Sequence, residues 1–144
     1  MMDYSDVGRL ALALLLGGAI GFERRWHGHA AGPHTNALVA FGAALFILMG
    51  HDLGGDATAR IAAQVATGIG FLAAGVIMRD GFRVRGLNTA ATIWCVAAMG
   101  CFVGLRYIWL PLAATILILA ANTLFHMIEH RIPQLADVEE GGEH

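Results

Sequence analysis

Apolar residues fill five long stretches of this chain, and polar residues collect in the short intervals between them. The stretches are residues 7–22, about 36–50, 61–78, about 88–105 and about 109–128. A helix that crosses a bilayer needs about 20 mostly apolar residues. Several stretches fall short of that, so their ends are expected to run into the polar flanks or the bilayer to thin around them. The pattern predicts an all-α fold, an integral membrane bundle of about five transmembrane helices.

Composition agrees. The chain is 57% hydrophobic and 14% charged, with a mean hydropathy of +0.63, where a soluble domain carries about 25% charge. Residues 1–132 are read as the transmembrane domain and 133–144 as an acidic, flexible tail. The opening MMDYSDVGR lacks the basic start of a signal peptide, so the first stretch is expected to stay as a helix. No soluble C-terminal domain is expected after the fifth stretch.

Arginine sets the expected orientation, because cytoplasmic loops carry the excess of basic residues. With the N-terminus outside, Arg24, Arg25, Arg79, Arg83, Arg85 and Arg131 lie inside, against Arg9, Arg60 and Arg106 outside. That bias favours N-out and C-in, in the multi-pass topology of a bacterial inner-membrane protein. Net charge is near zero, so no nucleic-acid partner is expected. The one serine, Ser5, lies outside every apolar stretch, which removes a serine nucleophile from the membrane. Cys95 and Cys101 are expected as buried free thiols, since six positions on one helix rise about 9 Å, too far for a disulfide.

Helices in lipid approach closely through small residues. Gly17 with Gly21 and Gly100 with Gly104 form GxxxG pairs, and Ala62, Ala66, Gly70 and Ala74 form a third ridge. Each ridge serves either packing within the bundle or contact with a second copy or another membrane protein.

The polar residues concentrate in two intervals that share one membrane face. The first is GFERRWHGHAAGPHTNA, residues 21–37; the second is MRDGFRVRGLNTAATIW, residues 78–94. Together they supply a candidate polar site: Glu23, Arg24, Thr35, Arg79, Asp80, Arg85, Asn88, Thr89 and Thr92. An arginine is the expected partner for Glu23, and Asn88 or Thr89 is the expected cap of the fourth helix. Gln64 and Thr67 give the third helix a small polar face. These residues admit two readings, a structural tie between loops and a pocket for an ion or partner. His27, His29 and His34 suit a transition metal, an acid sensor or an interface with anionic lipid. His126, Glu129 and His130 match HxxEH, but a zinc peptidase needs a third protein ligand and the pattern lies at the exit of a membrane helix, so a helix end with solvated histidines is the expected reading. Asp52 and Asp56 suit a hydrated Mg²⁺ less well than they suit helix capping.

These same intervals carry a resemblance. Residues 21–46 are similar to the G-x-E-R and A-G-x-R-T signature of the MgtC/SapB family of bacterial membrane proteins. Residues 68–100, GIGFLAAGVIMRDGFRVRGLNTAATIWCVAAMG, resemble its second hallmark still more closely. Carried over by position, the matching polar residues are Glu23, Arg24, Thr35, Arg79, Asn88, Thr89 and Thr92, with Gly86 beside them. The sequence departs from the pattern at His34, where the family's arginine precedes the threonine, at Asn36, where histidine is common, and at His27 and His29, where lysine is frequent. The resemblance implies a short form of the family. It also implies a non-enzymatic role in adaptation to low magnesium, acid or envelope stress, with ties to virulence and action on other membrane proteins, the ATP synthase among them. The chain has no P-loop and no phosphorylation-type aspartate motif, so it is not expected to be an ATPase. No cofactor is expected, Mg²⁺ being the one ion in view, and the expected partners are the bilayer, another membrane protein and a second copy in a dimer. Two alternatives stand beside this reading, a small transporter or channel for Mg²⁺ or another divalent cation, and a structural or lipid-interacting protein.

Overall fold

The computed structural model describes residues 4–80 and 83–131, with the side chains of 80, 83 and 129–131 outside the description. The expected tail at 133–144 therefore lies outside the described residues. Five helices form: α1 (Tyr4–Trp26), α2 (Pro33–Leu53), α3 (Ala57–Ala74), α4 (Leu87–Gly104) and α5 (Trp109–Arg131). All five are long and apolar enough to cross a membrane. At 23 residues, α1 rises about 35 Å, enough for a hydrocarbon core of about 30 Å. Exposed aromatic residues mark its two ends, Tyr4 and Trp26, and Tyr107 and Trp109 mark the start of α5.

The third apolar stretch ends sooner than its hydropathy suggests. Helix α3 stops at Ala74, and the chain then forms an antiparallel hairpin of β1 (Met78–Asp80) and β2 (Arg83–Arg85), with Arg79 opposite Val84. Gly86 leads from the hairpin into α4 with φ 92°, and a Cβ there would strike the Val76 carbonyl. Only glycine tolerates both demands. The α4 cap is this glycine, with no side-chain hydrogen bond, which corrects the expectation of a cap from Asn88 or Thr89. The backbone of Gly86 already turns the chain, leaving Thr89 one turn in and free to bond elsewhere. Pro33 opens α2, where its missing N–H costs nothing.

Helices α1, α2 and α4 make the core, and both GxxxG pairs explain how. A Cβ at Gly17 would lie 2.5 Å from the Asn36 carbonyl oxygen, and one at Gly21 2.5 Å from that of Gly32. On the other side of α2, Gly100 abuts the Ala40 backbone, and a Cβ at Gly104 would lie 2.7 Å from the Ala44 carbonyl oxygen. Thus α2 is gripped between two glycine seams. Ile20, Ala40, Ala44, Val96 and Val103 pack in the same layer with no exposed surface. Of the α4 span 56% is buried, against 11% for α3 and for α5. The third ridge behaves differently, since Gly70 has no neighbour within 4 Å of a built Cβ and Ala66 and Ala74 are exposed.

Five crossings bring the ends of α1, α3 and α5 to the same side as the starts of α2 and α4. This side is the arginine-rich end. At the opposite end the Asp6 carboxylate, 3% exposed, accepts from Arg9 at 2.9 Å and from Arg106 at 3.5 Å. It ties the start of α1 to the α4–α5 turn, where Arg106 takes φ 71°.

Candidate functional site

The end of α1 presents Glu23 and Arg24 in succession. Consecutive helical residues point about 100° apart, so the two side chains meet different helices. Arg24 turns inward. It is 1% exposed, and its Nη2 donates to Thr89 Oγ1 of α4 at 3.5 Å. Thr92, one turn further along α4, is buried and donates to the Asn88 carbonyl at 3.0 Å. Asn36 of α2, fully buried, donates to the carbonyls of Ala31 at 2.9 Å and Gly32 at 3.0 Å, and its Oδ1 has no hydrogen-bond partner. Arg24 and Thr89 thus join α1 to α4 by a buried contact, with Thr92 one turn along α4, while Asn36 is buried on α2 beside Gly17.

Glu23 turns the other way, toward α5. Its Oε1 lies 2.9 Å from His27 Nδ1, and its Oε2 accepts from Asn122 Nδ2 at 3.1 Å. Its partners are thus a histidine and an amide rather than the expected arginine, because the helix turn that aims Arg24 at α4 aims Glu23 at α5. His126, one turn beyond Asn122, stacks edge-on against His27 with ring centroids 4.6 Å apart, and lies 6.4 Å from His29. Burial holds the His29 imidazole below its ordinary pKa, Arg24 and His126 add to that, and Glu23 opposes it. The His29 Nδ1 is buried without a hydrogen-bond partner.

Thr35, Arg79, Arg85 and Asn88 are exposed, and the Asp80 side chain is outside the described residues. Gln64 and Thr67 are exposed on α3, where Thr67 donates to the Ala63 carbonyl at 3.0 Å. Gln64 lines a groove of about 750 Å³ between α2 and α3, with His34 and Thr35 at one end, Leu38 and Phe46 along one wall, and Gly42 and Gly68 among its lining residues. Of the HxxEH motif, His126 faces His27, while the side chains of Glu129 and His130 are not described. Among the described residues no group of three His, Cys, Asp or Glu is placed to hold a metal ion. Both cysteines are free.

Asn36, Asn122 and His126 were not in the sequence-derived set. Asn122 had a signal, since an amide inside an apolar helix in lipid needs a polar partner. Asn36 had a weaker one, at the mouth of the second stretch.

Comparison with known proteins matches the MgtC family over residues 10–131. The protein MgtC of Salmonella typhimurium strain LT2 is 52% identical over 141 residues, 98% of this chain and 61% of that protein. Protein MgtC of Salmonella typhi is 53% identical over 135 residues, 94% of this chain and 58% of its own length. That of Brucella suis is 53% identical over 116 residues, 80% of this chain and 49% of its own. The chain thus spans half to three-fifths of the length of these relatives. No solved structure matches it. On the family match and these relatives, the chain belongs to the MgtC family.

Proposed function

We propose that this chain is an inner-membrane factor that supports adaptation to low magnesium, acid or envelope stress by binding another membrane protein, without chemistry of its own. The observation that carries this reading is the open face between α2 and α3. Arg24 of α1 is tied to Thr89 of α4, and Asn36 to the backbone before α2, whereas the α2–α3 groove is apolar and open, with Gly42 and Gly68 among its lining residues. Gly42 and Gly68 leave space that a neighbouring helix fills, and the exposed Gln64 amide offers a directional contact within lipid. Its orientation is N-out and C-in, since the arginine-rich end belongs in the cytoplasm. Glu23, Arg24 and Thr89 then hold that cytoplasmic end in shape, and Thr35, Arg79, Arg85 and Asn88 face the aqueous side beside it. A second copy is an alternative occupant of the groove.

A photocrosslinking residue at Leu38 or Gln64, activated in native membranes, tests this reading. A defined crosslinked partner that a bulky Gly68→Leu change removes, with loss of growth at low magnesium, is the expected result. Purified protein in liposomes tests the transporter alternative. Mg²⁺ flux above empty liposomes that Glu23→Gln or Asn88→Ala abolishes in folded protein overturns the partner reading.

A further inference from the structure

The groove between α2 and α3 is not uniform along its length. Toward the arginine-rich end its walls are apolar, with Leu38, Val39 and Gly42 on α2 facing Gly68, Ile69 and Leu72 on α3. His34 and Thr35 stand at the mouth of this half, and Gln64 lies one turn beyond Gly68, in the other half. The apolar half has the depth of one leaflet. From His34 to Gly42 helix α2 rises about 12 Å, and half of a hydrocarbon core of about 30 Å is about 15 Å. An acyl chain suits such a surface, because it brings no hydrogen-bonding group that needs a partner.

The mouth is built beside the β-hairpin. Ala43, Ile69 and Ala97 line the groove and belong to one buried cluster, and Val76, which leads into β1, packs against that cluster. At the far end of the hairpin, Gly86 abuts the Val76 carbonyl. The hairpin is therefore rooted at this mouth. Residues 78–85 contain three arginines and one aspartate, a net charge of +2. That charge is the same whichever arginine Asp80 meets, the side chains of Asp80 and Arg83 lying outside the description. Arg79 and Arg85 are exposed, and so are Ile77, Met78 and Val84. Exposed apolar side chains among cations suit a segment that lies at headgroup depth rather than in water. Among the described residues lining the groove there is no carboxylate.

We propose that this half of the groove and the hairpin form a binding site for one anionic phospholipid. Its phosphate sits at Arg85 and the His34 and Thr35 side chains, and one acyl chain runs between α2 and α3 as far as Gly42 and Gly68. The guanidinium matches a phosphate in shape and charge, and the threonine hydroxyl and the imidazole N–H add donors. A zwitterionic headgroup brings a cation of its own to this cationic rim, so the anionic one is preferred. The proposal rests on the reading of the α2–α3 face as the open one, and names what fills its apolar half when no partner protein is present. Gln64, beyond the reach of the chain, stays available to a partner helix.

Native mass spectrometry of the purified full chain, released from micelles titrated with single lipids, reads the site. Palmitoyl-oleoyl phosphatidylglycerol is expected to be retained, one molecule per chain, at a concentration at least about five-fold lower than phosphatidylethanolamine with the same chains. Arg85→Gln is expected to weaken phosphatidylglycerol about five-fold, the effect of one basic residue near an anionic headgroup, and to leave phosphatidylethanolamine unchanged. Arg60→Gln, exposed at the opposite end of α3, is expected to bind as the wild type does. Nothing lies within 4 Å of a Cβ at Gly68 or at Gly42, so Gly68→Leu and Gly42→Leu fill the groove from either wall. Each is expected to remove retention of both lipids at unchanged helix content by circular dichroism. Equal retention of the two lipids by the wild type overturns the proposal. So does an Arg60→Gln loss as large as that of Arg85→Gln, or folded groove-filled variants that hold phosphatidylglycerol as tightly as the wild type. No other protein is present in these measurements, so such results leave the partner reading to the crosslinks from Leu38 and Gln64.

Discussion

Replacing Gly100 by alanine should destabilise this protein although it improves the helix. In an exposed helix the change contributes about 1 kcal/mol of stability. Here the new Cβ would strike the Ala40 carbonyl oxygen and sit 2.9 Å from Ala40 Cα. Those are backbone atoms of α2, and α2 is pressed from its other side by Gly17 and Gly21, so it has no room to retreat. Forcing a methyl group into a packed core costs about 1–3 kcal/mol, and a clash with backbone that cannot retreat lies at the upper end. The net loss is about 2 kcal/mol after the helix gain. For a chain of this size that lowers Tm by roughly 4–8 °C. Gly70→Ala is the matched control, because nothing lies within 4 Å of its Cβ position. It should leave Tm unchanged or raise it by up to a few degrees, since its contribution is the helix gain of about 1 kcal/mol alone. Thermal unfolding of both variants in one detergent, followed by circular dichroism, makes the comparison. A Gly100→Ala protein as stable as the wild type would refute the seam, and an equally harmful Gly70→Ala would show that the effect is not one of packing.

Three further outcomes follow from the polar contacts. Asp6→Asn removes the anion shared by Arg9 and Arg106, and with both arginines partly solvated the loss should be about 1–2 kcal/mol, read as a lower Tm at pH 7; an unchanged Tm would show the pairs to be incidental. Thr89→Val keeps the shape but removes the acceptor for Arg24, and should cost about 1 kcal/mol. A double-mutant cycle with Arg24→Met should recover a coupling of about 0.5 kcal/mol or more, and additive losses would disprove the contact. His29 is held neutral by the fold, so between its lowered pKa and the ordinary value of about 6.5 the unfolded chain binds more protons than the folded one. Stability therefore rises with pH across that window and falls as pH drops below about 6.5. His29→Gln should flatten that part of the Tm profile between pH 8 and 5, and a profile identical to the wild type would sink the argument.

The five crossings were legible because hydropathy over about 20 residues is a one-dimensional signal, and a chain in lipid satisfies its backbone by forming helices. The hairpin was legible too, in the Asp-Gly dipeptide at residues 80 and 81, a turn signal between strands. The apolar run up to Met78 masks it, because that run has the hydropathy of a continuing helix. The seams stood in the sequence as GxxxG pairs, but their partner did not. Nothing in the spacing of Gly17 or Gly100 says that both close on α2, since that depends on which helices neighbour one another.

The two charged residues at the end of α1 show the same division. Helical geometry fixes that adjacent residues point about 100° apart, so Glu23 and Arg24 had to find different neighbours. An ion pair from Glu23 to a distant arginine was the natural guess from charge alone. The partners instead lie 99 positions away at Asn122 and 65 away at Thr89, on two helices whose places around α1 no local pattern encodes. What burial adds is a ranking. Arg24, closed off from solvent, is bound into the α1–α4 joint, and a change there should disturb the fold first. Glu23 sits at the joint with α5, where the Asn122 amide and the His27 imidazole meet its carboxylate. The same dipeptide thus serves two joints, α1–α4 through Arg24 and α1–α5 through Glu23, and substitutions at the two positions should separate in which helix they loosen.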